Sequence, residues 1–453
     1  MRFLARSLAC LAAFAFVAQP VAAQDAGILR DSETERLLKD MVNPLVEAAG
    51  MPKDSVDVVI VNDPDINAFT SQGQVIYLNS GLINAADNAN QVQGVMAHEL
   101  GHIVGGHSIG IYNGIDRSNK ISLLSLLVGV AAALAGAGEA GMGIMSMGQQ
   151  AAYGSLLTFS RAQESSADAA GAKFLSKAGI SGRGSLEFFN KIQNLEFRYG
   201  YPHDEEATYA STHPLAGDRI ATLQDVYQKD PAWNAKTDPQ LEERFQLAKA
   251  KLYGYLASPA DTLRHYPPYM TTEPARYARV YAYHKESRLD EAVQEADALL
   301  AEKPNNPYFL EIKGQVLLEE GKADEALAPL RKATELTSND PLIASTFGLA
   351  LVNTEDKSHL DEAETVLRAA VARDRENPLA WYELGMVYGA KGDIPRARLA
   401  SAEQQIMSDS PTEALRSALA AQAALPKDSP DWIRAQDISM QARAQLERKK
   451  DRK

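Results

Sequence analysis

The sequence predicts an α+β chain in two parts: a mainly helical domain with a small sheet, followed by an all-α array of helix pairs. Three observations carry this expectation. Two short β-type runs, 57–61 and 74–78, stand shortly before a strongly apolar helical run around residue 98. Pro307 and Pro341 are 34 residues apart, and Gly314 and Gly348 repeat the interval, which is the period of a stacked helix-pair repeat. At 453 residues the chain also exceeds one typical core and should divide.

Met1 to Arg6 is a basic opening, Ser7 to Val17 an apolar core, and Val21-Ala22-Ala23 offers small residues before Gln24. Residues 1–23 therefore read as a cleaved signal peptide, too short in its apolar core for a membrane anchor. Cys10, the one cysteine in the chain, would leave with it, so no disulfide is expected in the mature protein. The net charge of −13 argues against a nucleic-acid partner, which would call for a basic footprint.

Ser32 and Glu35 have the spacing of a capping box, and Leu37, Leu38, Met41, Val42, Leu45 and Val46 continue one apolar helical face, with Pro44 a kink. Asp57 to Val61 reads as a buried strand and Gln74 to Leu78 as a second. Next comes His98-Glu99-Leu100-Gly101-His102 within an apolar run. Histidines four apart lie on one helix face and can bind one zinc ion, with Glu99 placed to deprotonate a water on that ion. A buried helix seldom carries such groups without partners for them. Gly105 matches the glycine of the longer H-E-x-x-H-x-x-G-x-x-H pattern, but its last position is Ser108 and His107 falls one residue short, which argues against that subclass.

Ile121 to Ala137 is apolar enough to resemble a marginal transmembrane helix. A single span would put residues 98 and 164 on opposite sides of a bilayer. The segment therefore reads as a core helix, a lid, or a patch in peripheral contact with a membrane. Downstream, Glu164 and Asp168 are four apart on an expected helix. One could bind the metal while the other holds a ligand histidine. His213, before Pro214, is either a plain loop residue, an oxyanion donor, or a fourth ligand displacing the catalytic water.

These residues resemble a known family. Asn67-Ala68-Phe69, Gln74 to Leu82, His98 to His102, Ser160-Arg161 through Glu164 to Asp168, and Ser211-Thr212-His213-Pro214 with Arg219-Ile220 are similar to the M48 zinc metallopeptidases, in the family's order, over residues 57 to 220. The resemblance implies one zinc per chain on His98, His102 and Glu164, with Glu99 as general base and Asp168 as a supporting acid. It leaves open whether Asp168 donates a proton or orients His98. It also implies that an edge strand pairs with an extended substrate, a role that Val75 to Leu78 suit.

Beyond about residue 265 the repeat takes over. Trp381, Leu384, Gly385 and Tyr388 reproduce the tetratricopeptide signature, and Ala326, Ala363 and Ala397 take the small-residue position of each second helix. A further unit, Glu273 to Asn306, makes four, with helices after Pro411 and Pro430 as a cap. Tyr277, Tyr281 and Tyr283 read as either core or binding face, and the tail Arg448 to Lys453 as disordered. The expected divisions are 24–265 for the metallopeptidase-like domain, 266–425 for the repeats, and 426–453 for a capping helix and basic tail.

The function expected is a periplasmic zinc endopeptidase for misfolded or stalled envelope proteins. The repeats would recruit unfolded or misassembled envelope proteins and the outer-membrane β-barrel assembly machinery. The alternative is a tetratricopeptide chaperone or adaptor for outer-membrane protein assembly with latent proteolysis. A pure scaffold has no need of Glu99.

Overall fold

The computed structural model describes residues 27–71, 73–107, 124, 138–199, 213, 217–354 and 356–451. The expected signal peptide 1–23, the apolar segment 121–137 apart from Leu124, and residues 211, 212 and 214 lie outside them. No described helix is long and apolar enough to cross a membrane.

The first part is a four-stranded sheet with helices packed on it. Strand β1 (Ile28–Leu29) leads into α1 (Ser32–Ala48). The cap of α1 is Asp31, one residue before the expected Ser32: its side chain accepts from the Thr34 N–H, while Glu35 reaches back to the Asp31 N–H at 3.2 Å. Asp and Ser cap about equally well, and here the carboxylate also meets the positive end of the helix dipole. Strands β2 (Asp57–Val61), β3 (Ala68–Thr70) and β4 (Val75–Asn79) follow. β2 is less buried than expected, with only Ile60 fully inside.

The sheet order is β1-β2-β4-β3, with β2 and β4 parallel and both outer pairs antiparallel. This corrects one expectation: Val75 to Leu78 sits in an interior strand, paired on both sides. The edges are β1 and β3, and on β3 Phe69 stacks on Tyr77 at 4.9 Å. A three-residue strand carries too little alternation to be read from sequence.

Helices α2 (Ser80–Ala85), α3 (Ala89–Val104), α4 (Gly138–Lys177), α5 (Arg183–Tyr199) and α6 (Gly217–Gln228) complete this part. One apolar cluster runs from Leu37 through Met96 and Phe189 to Leu252.

Helix α7 (Pro239–Leu256) belongs to two cores. Phe245, Ala248 and Leu252 join the first cluster, and Leu247 joins Tyr277 and Phe309 in the next. After α8 (Pro259–His265) come the helix pairs α9 (Glu273–Lys285) and α10 (Leu289–Glu302), α11 (Pro307–Glu319) and α12 (Ala323–Leu336), α13 (Pro341–Asn353) and α14 (Leu360–Arg373), and α15 (Pro378–Ala390) and α16 (Ile394–Met407). Pro307, Pro341 and Pro378 each sit at the first helical position behind a capping Asn306, Asp340 or Asn377, which sets a punctuation of 34 and then 37 residues. Ala326 and Ala363 are fully buried where helices meet, and Ala397 is half-buried. Tyr277, Tyr281 and Tyr283 are core. Helices α17 (Pro411–Ala424) and α18 (Pro430–Asp451) cap the array. The basic tail is helical as far as Asp451, and Lys449 is tied to Asp409 at 2.8 Å, so the expectation of disorder fails over 448–451.

Candidate metal centre

The site forms where α3 crosses α4. Asn88 caps α3 through the Gln91 N–H, fixing the helix phase that turns His98 and His102 the same way. A Cβ on Gly101 would lie 2.6 Å from the Ala167 carbonyl oxygen, so only glycine lets the helices approach this closely. That approach brings Glu164 to the histidines although it lies 62 positions beyond His102.

His98, His102, Glu164 and His213 are all buried, and one ligand atom from each lies within 4.8 Å of the others. His98 Nε2 is 3.1 Å from His102 Nε2, 3.4 Å from Glu164 Oε2 and 3.4 Å from His213 Nδ1. Glu164 Oε1 is 3.4 Å from His102 Nε2 and 3.1 Å from His213 Nδ1. A tetrahedral ion with bonds of about 2.0–2.1 Å needs donor separations of about 3.3 Å. Five of the six donor separations, taking whichever Glu164 oxygen faces each partner, lie near that value, so the four side chains could hold a zinc-sized ion.

The partners behind the donors fix their orientation. His98 Nδ1 lies 2.9 Å from Asp168 Oδ1. Arg219 of α6 grips Asp168 with two hydrogen bonds, at 2.8 and 2.9 Å, and reaches Glu164 Oε2 at 3.0 Å. On the other side, His107 Nδ1 is 2.9 Å from His102 Nδ1. Both α3 histidines thus have Nδ1 beside an acceptor and turn Nε2 towards the other donors, the usual arrangement for an imidazole ligand.

Electrostatics follow the same geometry. Burial alone would lower the His98 imidazole, but its contacts with Asp168 and Glu164 hold it up to about 10. Burial would raise Glu164, yet the three histidines around it hold it well below the usual carboxylate range. Asp168 is lowered by His98 and Arg219 against its own burial. His102 and His107 are both lowered, chiefly by desolvation.

Glu99 is 0% exposed, and neither carboxylate oxygen accepts a hydrogen bond among the described residues. His213 Nε2 is 3.6 Å from its Oε1. A buried carboxylate in that state is costly unless something fills the space in front of it.

The structure thus brings together His98, His102, Glu164, His213, Glu99 and Asp168. Two residues take parts that the sequence reading did not assign. His107 was weighed only as a ligand, and its part is to brace His102. Arg219 was noted only as part of a motif. The signal for His107 was local: Gly105 and Gly106 stand between the helix end and the histidine and allow the chain to turn back.

Residues 32–227 match the model of peptidase family M48, and 275–341 and 355–411 match a tetratricopeptide repeat model. The chain is 25% identical over 386 residues to the beta-barrel assembly-enhancing protease of Escherichia coli strain K12, covering 83% of this chain and 76% of that protein. It is 30% identical over 169 residues to metalloprotease LoiP of the same strain, covering 37% of this chain and 60% of that one. Mitochondrial metalloendopeptidase OMA1 of Bos taurus is 25% identical over 195 residues, 41% of this chain and 36% of that one.

Proposed function

From an M48 metallopeptidase domain joined to tetratricopeptide repeats, we propose a periplasmic zinc endopeptidase that cleaves misfolded or stalled envelope proteins. The repeats would present the substrate and engage the outer-membrane β-barrel assembly machinery. The carrying observation is the pairing of a tetrahedral donor set with the unsatisfied buried carboxylate of Glu99. The assembly partner is carried over from what the Escherichia coli relative's name says of that protein, and the compartment from the signal-peptide pattern of residues 1–23.

His98, His102 and Glu164 would hold the ion, one per chain. When bound, it would supply Lewis acidity and lower the pKa of a water towards neutral. Glu99 would take up a proton from the attacking water and return it to the departing amide nitrogen. Asp168, clamped by Arg219, orients His98 through Nδ1 and does not need to move a proton. His213, whose Nδ1 lies 3.4 Å from His98 Nε2 and 3.1 Å from Glu164 Oε1, would serve as a fourth ligand that keeps water out until its imidazole withdraws.

The adaptor reading is disfavoured by Glu99, since a scaffold gains nothing from a buried carboxylate left without donors. Complementation decides between the two. Wild type should degrade casein and rescue an envelope-assembly defect, and Glu99→Gln should do neither. Full rescue by Glu99→Gln would favour the adaptor.

A further inference from the structure

Behind the metal centre the peptidase domain holds a crevice of about 360 Å³. Asn90 and Gln93 of α3 line it, together with Pro44 of α1, the turn 178–181 that follows α4, and residues 236–244 at the start of α7. Gln93 precedes His98 by five positions on α3, which places it about 140° round the helix from the metal donors. The crevice thus touches α3 and the end of α4, the two helices that carry His98, His102 and Glu164, on the side away from the ion.

One lining group is unsatisfied. The Asn90 amide donates to the Ser181 carbonyl and accepts from the Gly184 N–H, both at 2.9 Å. Gln93 is only 4% exposed, yet its amide makes no hydrogen bond among the described residues. A buried amide left in that state is costly, so a guest that pairs with it gains.

The charges around the crevice divide in two. Arg244 is held by Asp40 at 2.8 Å. Lys236 is exposed and meets no carboxylate among the described residues. Asp238 is also exposed, and it accepts only the Gln240 N–H that it caps, at 2.9 Å. Two residues apart, their backbones are separated by at most about 7 Å, close to the span between the charged ends of a dipeptide. Pro44, Ile180 and Leu241 supply aliphatic wall.

An unpaired amide in the depth, aliphatic walls, and one charge of each sign without an ionic partner complement a small zwitterion built around an amide. We propose that this crevice binds a free dipeptide with an aliphatic side chain. Its carboxylate meets Lys236, its ammonium meets Asp238, and its peptide group pairs with Gln93, whose amide donates and accepts at once. Short peptides are end products of proteolysis. That source rests on the proposed function, whereas the binding does not.

Isothermal titration calorimetry on the full-length Glu99→Gln protein tests this with alanyl-leucine, its N-acetyl form and its C-terminal amide. Alanyl-leucine should bind, and each capped form should bind about fivefold more weakly, the scale of one exposed charge pair. Lys236→Ala should erase the penalty for the amide alone. Asp238→Asn should erase the penalty for the acetyl form alone, since asparagine still caps α7. Gln93→Leu should weaken binding by about tenfold. Lys236 and Asp238 are exposed, so their variants decide the matter even where Gln93→Leu fails to fold. No saturable binding of alanyl-leucine, equal affinity for all three ligands, or an unchanged preference in both exposed-site variants would overturn the proposal. Zinc content and casein cleavage of the wild type read the proposed function separately, so either idea can fail without the other.

Discussion

Removing the acceptor behind His102 should weaken zinc binding without touching a ligand. His102 can offer Nε2 to a metal only if its proton sits on Nδ1, and that proton points at His107 Nδ1, 2.9 Å away. His107→Leu deletes the acceptor and leaves a half-buried N–H facing hydrocarbon. Losses of this kind typically cost about 10–100-fold in metal affinity, or roughly 1.4–2.7 kcal/mol. His107→Gln keeps an acceptor oxygen and should recover most of the affinity. A second route leads to the same bond. A Cβ on Gly105 would fall 2.4 Å from His107 Nε2, and the backbone there, at φ −72°, tolerates alanine. Gly105→Ala should therefore push the imidazole aside and reproduce the His107→Leu phenotype. Competition against a chelating dye gives the zinc Kd for all three variants, with circular dichroism to confirm folding. Unchanged affinity in His107→Leu, or Gly105→Ala behaving as wild type, would refute the brace.

Other outcomes follow from the same geometry. Glu164→Ala should lose most of the bound zinc, whereas Glu99→Gln should keep it and lose casein cleavage by roughly a hundredfold or more, as measured by metal analysis and turnover on each variant. His213→Ala should retain zinc on the three remaining donors and raise basal casein cleavage severalfold by opening the fourth vertex; a fall of about a hundredfold would instead make His213 an oxyanion donor. Glu383, pushed up to about 8 by burial, holds a proton in the folded chain that the unfolded chain has lost above about pH 4.5. Stability should thus fall as pH rises from about 4.5 to 8 and level off beyond. Glu383→Gln should flatten that slope and gain on the order of a few kcal/mol near pH 8 in urea unfolding, while matching wild type near pH 4.5.

What the sequence made legible was local. Two histidines four apart, a carboxylate beside them, and Glu164 with Asp168 four apart all follow from helical spacing, as do the proline-led helices of the repeats. The meeting of α3 with α4 came only from resemblance, because it depends on Gly101 and Ala167 touching across a long insertion. Arg219 shows why such links stay hidden. An arginine on the first turn of α6 looks like any surface cation until α6 packs against α4 and its guanidinium finds Asp168. Strand order failed for a similar reason: β4 pairs in parallel with β2 and antiparallel with a three-residue β3, and no alternation pattern encodes that choice.

The junction near residue 265 makes the same point in energetic terms. Helix α8 ends at His265, and a period change there invites a cut. Yet the Tyr277 hydroxyl of the first repeat donates to Glu33 of α1 at 2.8 Å, and Lys251 of α7 lies between Asp31 and Glu311. Buried Arg279 gathers the carbonyls of Pro267 and Met270, at 3.1 and 2.9 Å, so the connecting segment is itself fastened to the first repeat. A chain stopped at 265 would expose Leu247 and leave Glu33 without its hydroxyl donor, at a cost of about 1–3 kcal/mol for the lost partner alone. Loss of activity on truncation would then report damage to the peptidase core.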